Sequence, residues 1–435
     1  MEDFSLTTKI MKVFKFGGAS VKDANAVKNV AKIVQLFEDD LMIVISAMGK
    51  ITNAMENLTQ LYFQSSDWSV QLNEIKQYHL TIVNELRLNK DVNFMQVYNK
   101  VLSQLENKLN SETSVNYDYE YDQLVSYGEI ISTTIVSGYL NSILIENEWV
   151  DARKLIRTNN NFREGKIDWV LTEALFQSKT GLLYKDKTKR NICITQGFIG
   201  HTDTGQTTTL GREGSDFTAA IAAWCLAAED VTIWKDVPGM LNADPKFFNN
   251  TERLSKISFR EAIELSYYGA SVIHPKTIKP LQNKNISLYV KSFIEPLSEG
   301  TLIQADVKYD NLVPSYIFKD NQMLLSISPR DFSFIIEENL RDIFDALDKC
   351  KVKVNMMQNS AISFSLCVDN DNRKIQNLLE NLESQYQIKY NEDLSLMTVR
   401  HYNESILEKL THKKEVLLEQ RSRHTTRFVL RDMTK

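Results

Sequence analysis

Several residues in this chain have the types and spacing needed to grip an anion. In "TTTLGREGSDFTAAIAAWCLAA", residues 207–228, Gly211 and Gly214 bracket Arg212 and Glu213, and Ser215 and Asp216 open an alanine-rich run. Backbone N–H groups of a glycine loop and a helix N-terminus together make an anion site for phosphate or carboxylate. Arg212 adds a planar fork able to hold either group with two bonds. A plainer account has Ser215 or Asp216 capping the helix and Arg212 solvated. A second cluster lies at "KFGG", where Lys15 ends a strand just before Gly17 and Gly18. Such a lysine is either a solvated surface charge or a counter-ion for phosphate. "GHTDTGQT" (200–207) has the frame of a P-loop, but Gln206 stands where that motif needs lysine, and no G-x-G-x-x-G occurs anywhere. P-loop, Rossmann and protein-kinase chemistry are therefore set aside.

The elements that must hold these residues alternate between strand and helix. "KVFKFGG" (12–18), "LMIVISAMG" (41–49), "NICITQGFIG" (191–200), "DVTIWKDVPG" (230–239) and "ISLYVKSF" (286–293) read as strands, most of them running into glycine. Helical periodicity fills 23–37 and much of 53–145. This pattern predicts an α/β fold with a mostly parallel sheet sandwiched by helices. Ligands in such sheets bind beyond the carboxyl ends of the strands, where these glycines fall.

Composition narrows the class. A chain of 435 residues predicts two to four domains. A net charge of −5 gives no basic footprint for nucleic acid. The start "MEDFSLTTKIMKVFKF" has neither the basic start nor the apolar core of a signal peptide, and no apolar run reaches the roughly 20 residues of a membrane span. Cys193, Cys225, Cys350 and Cys367 form no C-x-x-C pair, which fits a reducing cytoplasm. All 15 glycines lie between Gly17 and Gly300. The chain is thus built under two sets of rules, with a first region that needs tight turns and a second that does not.

Seven blocks, "KFGGAS", "VISAMGKITN", "SYGE", "TQGFIG", "TTTLGREGSDFTAA", "WKDVPGMLNADP" and "YYGASVIHPKT", resemble in order and spacing those of the aspartate kinases, members of the amino-acid kinase family. The likeness runs over most of residues 10–302. It implies transfer of a phosphoryl group from ATP, with Mg²⁺, to the β-carboxylate of L-aspartate. By the same resemblance Lys15 neutralises the transferred phosphoryl group, and Gly17, Gly18 and Ser20 form the phosphate-contacting loop. Ser46, Thr52 and Glu129 face the aspartate, Glu129 receiving its ammonium. Arg212 and Ser215 take its α-carboxylate, and Asp216 sits at the catalytic centre. Lys235, Asp236, Met240, Leu241, Asp244, Lys246 and Lys276 fall where the family holds the nucleotide. No residue is assigned as a protein ligand to the metal.

The chemistry accounts for these types. A carboxylate nucleophile with a solution pKa near ~3.9 is already ionised at neutral pH, so no general base is needed. Asp216 is then expected to orient Lys15 or a metal-bound group. Phosphoryl transfer becomes positioning plus charge stabilisation. The chain departs from the family pattern at Ala19 and Leu241, usually threonine and tyrosine, and at Glu213 and Lys235, usually glycine and threonine.

Residues from about 304 to 435 read as strand–helix–strand–strand–helix–strand, followed by a shorter strand-bearing unit that "VPSYIF" (313–318) could complete. This resembles two interleaved βαββαβ ACT units of the kind aspartate kinases carry for feedback. The expected division is a catalytic domain, 1–303, and a paired ACT-like regulatory or dimerisation region, 304–435. The resemblance implies an amino-acid effector, lysine or threonine, at that region and a homodimer or higher homo-oligomer. Asn355 and Ser360 keep the effector-site pattern, whereas Ala361 stands where the family often has glutamate. Two other readings remain open: an amino-acid-sensing paralogue with weak catalysis, and a sister kinase acting on another acidic substrate.

Overall fold

The protein's structure, a computed structural model, describes residues 10–181, 183–185, 188–270, 273–310, 313–331 and 333–433. It divides into two packed units. The first draws on Met1–Met240, Arg253–Ile263 and Val272–Val307; the second draws on Leu241–Glu252, Glu264–Ser271 and Lys308–Lys435.

The strands of the first unit are β1 (Met11–Phe16), β2 (Asp40–Ile45), β3 (Glu148–Trp149), β4 (Ile192–Gln196), β5 (Ile199–His201), β6 (Thr207–Thr209), β7 (Asp230–Lys235), β8 (Lys256–Ser258), β9 (Ser287–Ser292) and β10 (Thr301–Gln304). Its helices are α1 (Ala24–Gln35), α2 (Ile51–Phe63), α3 (Ser69–Glu85), α4 (Val92–Leu109), α5 (Tyr117–Ser142), α6 (Trp169–Thr180) and α7 (Gly214–Leu226), then α8 (Phe259–Tyr268), within which the division falls, and α9 (Pro275–Lys284). Eight strands form one sheet in the order β3-β4-β2-β1-β7-β9-β10-β8, parallel except where β10 meets β9. Strand side chains alternate between faces, and all six residues of β2 are buried, so helices cover both faces there. Alanines 219, 220, 222 and 223 of α7 are fully buried against the sheet, small enough to let helix and strands approach closely. On the sheet, Phe16 stacks on Trp234 at 6.0 Å between centroids.

Register decides what these strands present. Phe16 pairs with Ile45 and with Trp234, and Ile45 pairs with Gln196. The next residues, Gly17, Ser46, Lys235 and Gly197, therefore emerge side by side at the carboxyl ends of four neighbouring parallel strands. "NICITQGFIG" does not run through as one strand: it breaks at Gly197–Phe198, and β5 turns away to pair with β6 in a two-stranded hairpin.

The second unit holds one six-stranded antiparallel sheet. Its elements are β11 (Ser315–Pro329), α10 (Glu337–Lys349), β12 (Val354–Asn359), β13 (Phe364–Asp369), α11 (Asn372–Leu382), β14 (Tyr386–Arg400), α12 (Glu404–Thr411), β15 (Lys414–Arg421) and β16 (Thr425–Asp432), with strand order β12-β13-β11-β14-β16-β15. "VPSYIF" and "MLLSISP", read as separate strands, are two halves of β11. The polar stretch between them stays in the sheet through a bulge, with register shifts around Gln322 and Asn321 in left-handed backbone at φ 49°. β14 likewise extends N-terminally past "LSLMTVR". α10 and α11 cover Leu325, Ile327, Leu366 and Val368 on one half; α12 covers Met397, Val399, Phe428 and Leu430 on the other. The two long strands belong to both halves of this one sheet. No described helix is long and apolar enough to cross a membrane.

Candidate active site

Lys15 and Asp216 meet in the first unit. Lys15 Nζ, near the end of β1, lies 2.6 Å from Asp216 Oδ1 in the first turn of α7, and both side chains are almost buried. Lys235, at the end of β7, sits 3.8 Å from the other oxygen, Oδ2. One carboxylate thus faces two ammonium groups from adjacent strands. The glycines beside it leave little room for a side chain, Gly18 none. A Cβ on Gly17 would stand 3.3 Å from Lys15 Nζ, and one on Gly18 would stand 2.8 Å from the Ala47 and Gly49 carbonyls. Gly49 N–H donates to Gly18 O at 3.0 Å, which ties the two loops together. Ser20 follows on the same turn, and its buried hydroxyl has no partner.

Glu129, on α5, is 2% exposed, and its Oε2 has no hydrogen-bond partner. Burial pushes its carboxyl up to about 8, opposed by the backbone of Glu129 itself and of Ala47 nearby. A buried acid with one oxygen unpartnered is costly by itself and suits an incoming cation. The loop after β2 that carries Ala47 also abuts Gly18. Ser46 O accepts from Ser132 Oγ at 2.7 Å, and Gly128 lets α5 pack on Ala47, where a Cβ would come within 3.2 Å. Ser46 is half-buried on this loop, and Thr52 is half-buried at the start of α2.

Neither Ser215 nor Asp216 caps α7. The cap position falls on Glu213, which takes left-handed backbone (φ 54°) and makes no side-chain cap bond. Ser215 packs instead on Gly197, where a Cβ would come within 2.4 Å of its side chain. Arg212 is exposed and, among the described residues, makes no ion pair. It lines a pocket of about 520 Å³ with Lys276, His274, Trp169 and Phe217. Lys276 Nζ donates to Leu210 O at 2.7 Å and lies 4.8 Å from the Phe217 ring centroid; desolvation lowers its pKa. The structure therefore groups Lys276 with Arg212. Asp236 is exposed after β7, whereas Met240 is buried and donates its N–H to Thr301 Oγ1 at 2.8 Å. Leu241, Asp244 and Lys246 belong to the second unit, where Lys246 N–H donates to Asp244 Oδ1 at 2.9 Å.

Two residues of α5 that the motif reading passed over hold the hairpin leading to Arg212. Asp122 is fully buried and accepts from Arg163 N, Thr209 N and Thr209 Oγ1 at 2.8, 2.9 and 2.7 Å. Burial pushes its carboxyl up to about 6 against those three bonds. Gln123 pairs with both the N–H and the carbonyl of Thr207. The available signal was an acid seven residues before Glu129, hence on the same helix face. In the second unit Asn355 is fully engaged. Its Oδ1 accepts from Lys319 Nζ at 2.9 Å, and its Nδ2 donates to Gln322 and Asp369 at 2.8 Å each. Ser360 bonds within its own turn to Ser363.

This geometry agrees with what known proteins resemble it. The model of the amino acid kinase family matches residues 11–292, so the sheet and its charged strand ends are those of an amino acid kinase. Lysine-sensitive aspartokinase 3 of Escherichia coli (strain K12) is 30% identical over 395 residues, covering 89% of this chain and 86% of that one. Aspartokinase 1, chloroplastic, of Arabidopsis thaliana is 32% identical over 366 residues; the match covers 82% of this chain but 63% of the plant protein. The crystal structure of E. coli aspartokinase III in complex with lysine and aspartate superposes with a TM-score of 0.80 at 28% identity, covering 96% of this chain and 95% of that one. Its complex with aspartate and ADP gives 0.77 at 28% identity, covering 97% and 96%. The chain belongs to the amino acid kinase family, on its aspartokinase branch.

Proposed function

We propose that this chain phosphorylates the β-carboxylate of L-aspartate with ATP to give 4-phospho-L-aspartate. The observation that carries this reading is the pairing of two features through one loop. The loop after β2 brings Ala47 beside the buried Glu129, whose Oε2 has no partner, and also packs on the glycine turn beside Lys15. An ammonium acceptor thus stands next to a phosphate counter-ion, as a phosphate-accepting amino acid requires. The relatives crystallised with aspartate, and with aspartate and ADP, support the same substrates.

In this mechanism Glu129 receives the substrate ammonium, with Ser46 and Thr52 beside it, and Arg212 and Ser215 take the α-carboxylate. The β-carboxylate attacks as an anion. Lys15 neutralises the transferring phosphoryl group, and Asp216 holds Lys15 in place rather than removing a proton. Gly17, Gly18 and Ser20 bring backbone N–H groups and a hydroxyl to the phosphates. Lys235, Asp236, Met240, Leu241, Asp244, Lys246 and Lys276 serve the nucleotide. No group of three His, Cys, Asp or Glu residues close enough to hold a metal occurs among the described residues. The phosphates themselves would carry Mg²⁺, as is usual for this ion, and it would spread the charge on them.

Residues 1–303 form the catalytic domain in this reading and 304–435 a paired ACT-like region. That region mediates a homodimer or higher homo-oligomer and takes an amino-acid effector, lysine or threonine; the protein works in the cytoplasm. A sensing paralogue without catalysis is disfavoured because Lys15, Glu129, Arg212 and Asp216 are all retained. Steady-state kinetics test the reading: L-aspartate supports ATP turnover, and Lys15→Ala removes it. Turnover with another acidic amino acid in preference to aspartate would move the chain to a sister specificity.

A further inference from the structure

Asp122 belongs to no motif, yet three hydrogen bonds from two distant segments converge on its carboxylate. Oδ1 accepts from the Thr209 hydroxyl at 2.7 Å, and Oδ2 accepts from Thr209 N and Arg163 N at 2.9 and 2.8 Å. Thr209 ends β6, and three residues later comes Arg212. Arg163 has left-handed backbone at φ 66°, costly for a non-glycine residue, and its guanidinium rests 4.3 Å from the Tyr121 ring centroid. Its carbonyl lies under Gly211, where a Cβ would come within 3.3 Å, and Gly165 N–H donates to Thr209 O at 2.9 Å. Asp122 therefore holds both sides of the turn that delivers Arg212.

The same helix carries Glu129. Seven residues span almost two full turns, so Asp122 and Glu129 share a face of α5, about 10.5 Å apart along the axis. Gln123 adds a paired grip on Thr207, at 2.8 and 3.1 Å. We infer that Asp122 is a positioning residue for substrate: through Thr209 and Arg163 it makes α5 the ruler that sets how far Arg212 stands from Glu129. This rests on the proposed function, in which those two residues take the carboxylate and ammonium ends of one amino acid. The ruler then selects substrate length at no direct contact with substrate.

Three variants test it: Asp122→Ala, Asp122→Asn and Thr209→Val, assayed with L-aspartate and ATP and checked for folding by circular dichroism. Asp122→Ala leaves two buried N–H groups and a hydroxyl without their acceptor. It should raise KM for aspartate roughly ten- to a hundredfold while KM for ATP moves less than about twofold. In Asp122→Asn the amide oxygen can still take both N–H groups and the amide nitrogen can donate to the Thr209 hydroxyl, so most of the loss should be recovered. Thr209→Val, which deletes one bond of the three, should fall between. If Asp122→Ala misfolds, the Asn and Val variants decide. An unchanged KM for aspartate across folded variants, or parallel rises in both KM values, overturns the inference while leaving the proposed function standing. A wild-type protein that does not use aspartate overturns the functional reading and this inference with it.

Discussion

Aspartate binding should release a proton, and the reason lies in Glu129. Burial raises its carboxyl to about 8. At pH 7 only about 9% of free protein then carries the anion that an ammonium needs, by the mass-action relation behind a pKa. An opposite charge within contact lowers a carboxyl pKa by about 1–3 units, so the bound acid is between about half and almost fully ionised at pH 7. Binding therefore expels roughly 0.4–0.9 proton per aspartate at pH 7. Affinity should improve by roughly five- to fiftyfold in total between about pH 6 and 8 and then level off. The sign for stability is the reverse. A carboxyl raised in the folded state contributes stability at low pH that fades as pH rises from about 4.5 towards 8, so the free protein loses this increment there and aspartate restores it. Calorimetric titration at pH 7 in two buffers of different ionisation enthalpy reads the proton directly, and Kd at pH 6, 7 and 8 reads the slope. Glu129→Gln should bind weakly, with no buffer-dependent heat and a flat profile. A wild-type Kd that stays flat from pH 6 to 8, with equal heats in both buffers, would refute the placement of the ammonium on Glu129.

Other expectations follow from single contacts. Lys15→Ala removes the counter-ion at Asp216 and the phosphoryl group, so turnover should fall by orders of magnitude with the circular dichroism spectrum unchanged; near wild-type turnover contradicts its role. Arg212→Ala should raise KM for aspartate roughly tenfold to over a hundredfold, the worth of a charge-assisted bond, with KM for ATP unmoved. Glu213→Gly relieves left-handed backbone at a position without a cap bond, and should stabilise the chain by about 1 kcal/mol in a urea titration; a lower midpoint would mean that the Glu213 side chain is needed there. Lys319→Met frees Asn355 Oδ1 and should sharpen the response of activity to added lysine; an identical dose curve removes Asn355 from the effector site. Light scattering at micromolar concentration should give at least a dimer, and a monomer would exclude it.

The parts of the fold that were legible in the sequence are those where one residue type has one physical use. Strands of continuous apolar residues running into glycine, such as "LMIVISAMG", announced a buried parallel sheet, and the alanines of α7 announced a helix pressed on it. Charged residues at those strand ends marked the site. What stayed hidden depends on contacts between distant segments. Nothing local distinguishes Asp122 from a solvated acid on a helix until Thr209 and Arg163 fold against it. The polar run Lys319–Gln322 reads as a loop, because what keeps it in the sheet comes from distant segments: the bond from Gln322 to Asp369 and the bonds of Lys319 and Gln322 with Asn355. Glu213 at the cap of α7 runs against turn propensity, which favours glycine for left-handed backbone. That strain sits beside the residues proposed to bind substrate, where locally unfavourable backbone is most often kept.

The central claim is the transfer of a phosphoryl group to a carboxylate, and an acyl phosphate announces itself by its reactivity. Hydroxylamine displaces the phosphate and leaves a hydroxamate, so the purified chain should be incubated with MgATP, hydroxylamine and each of L-aspartate, L-glutamate and N-acetyl-L-glutamate. The account predicts aspartyl hydroxamate and ADP in equal amounts from L-aspartate, with little from the other two. Folded protein that forms ADP without hydroxamate, or forms hydroxamate only from glutamate or its acetyl derivative, would contradict it.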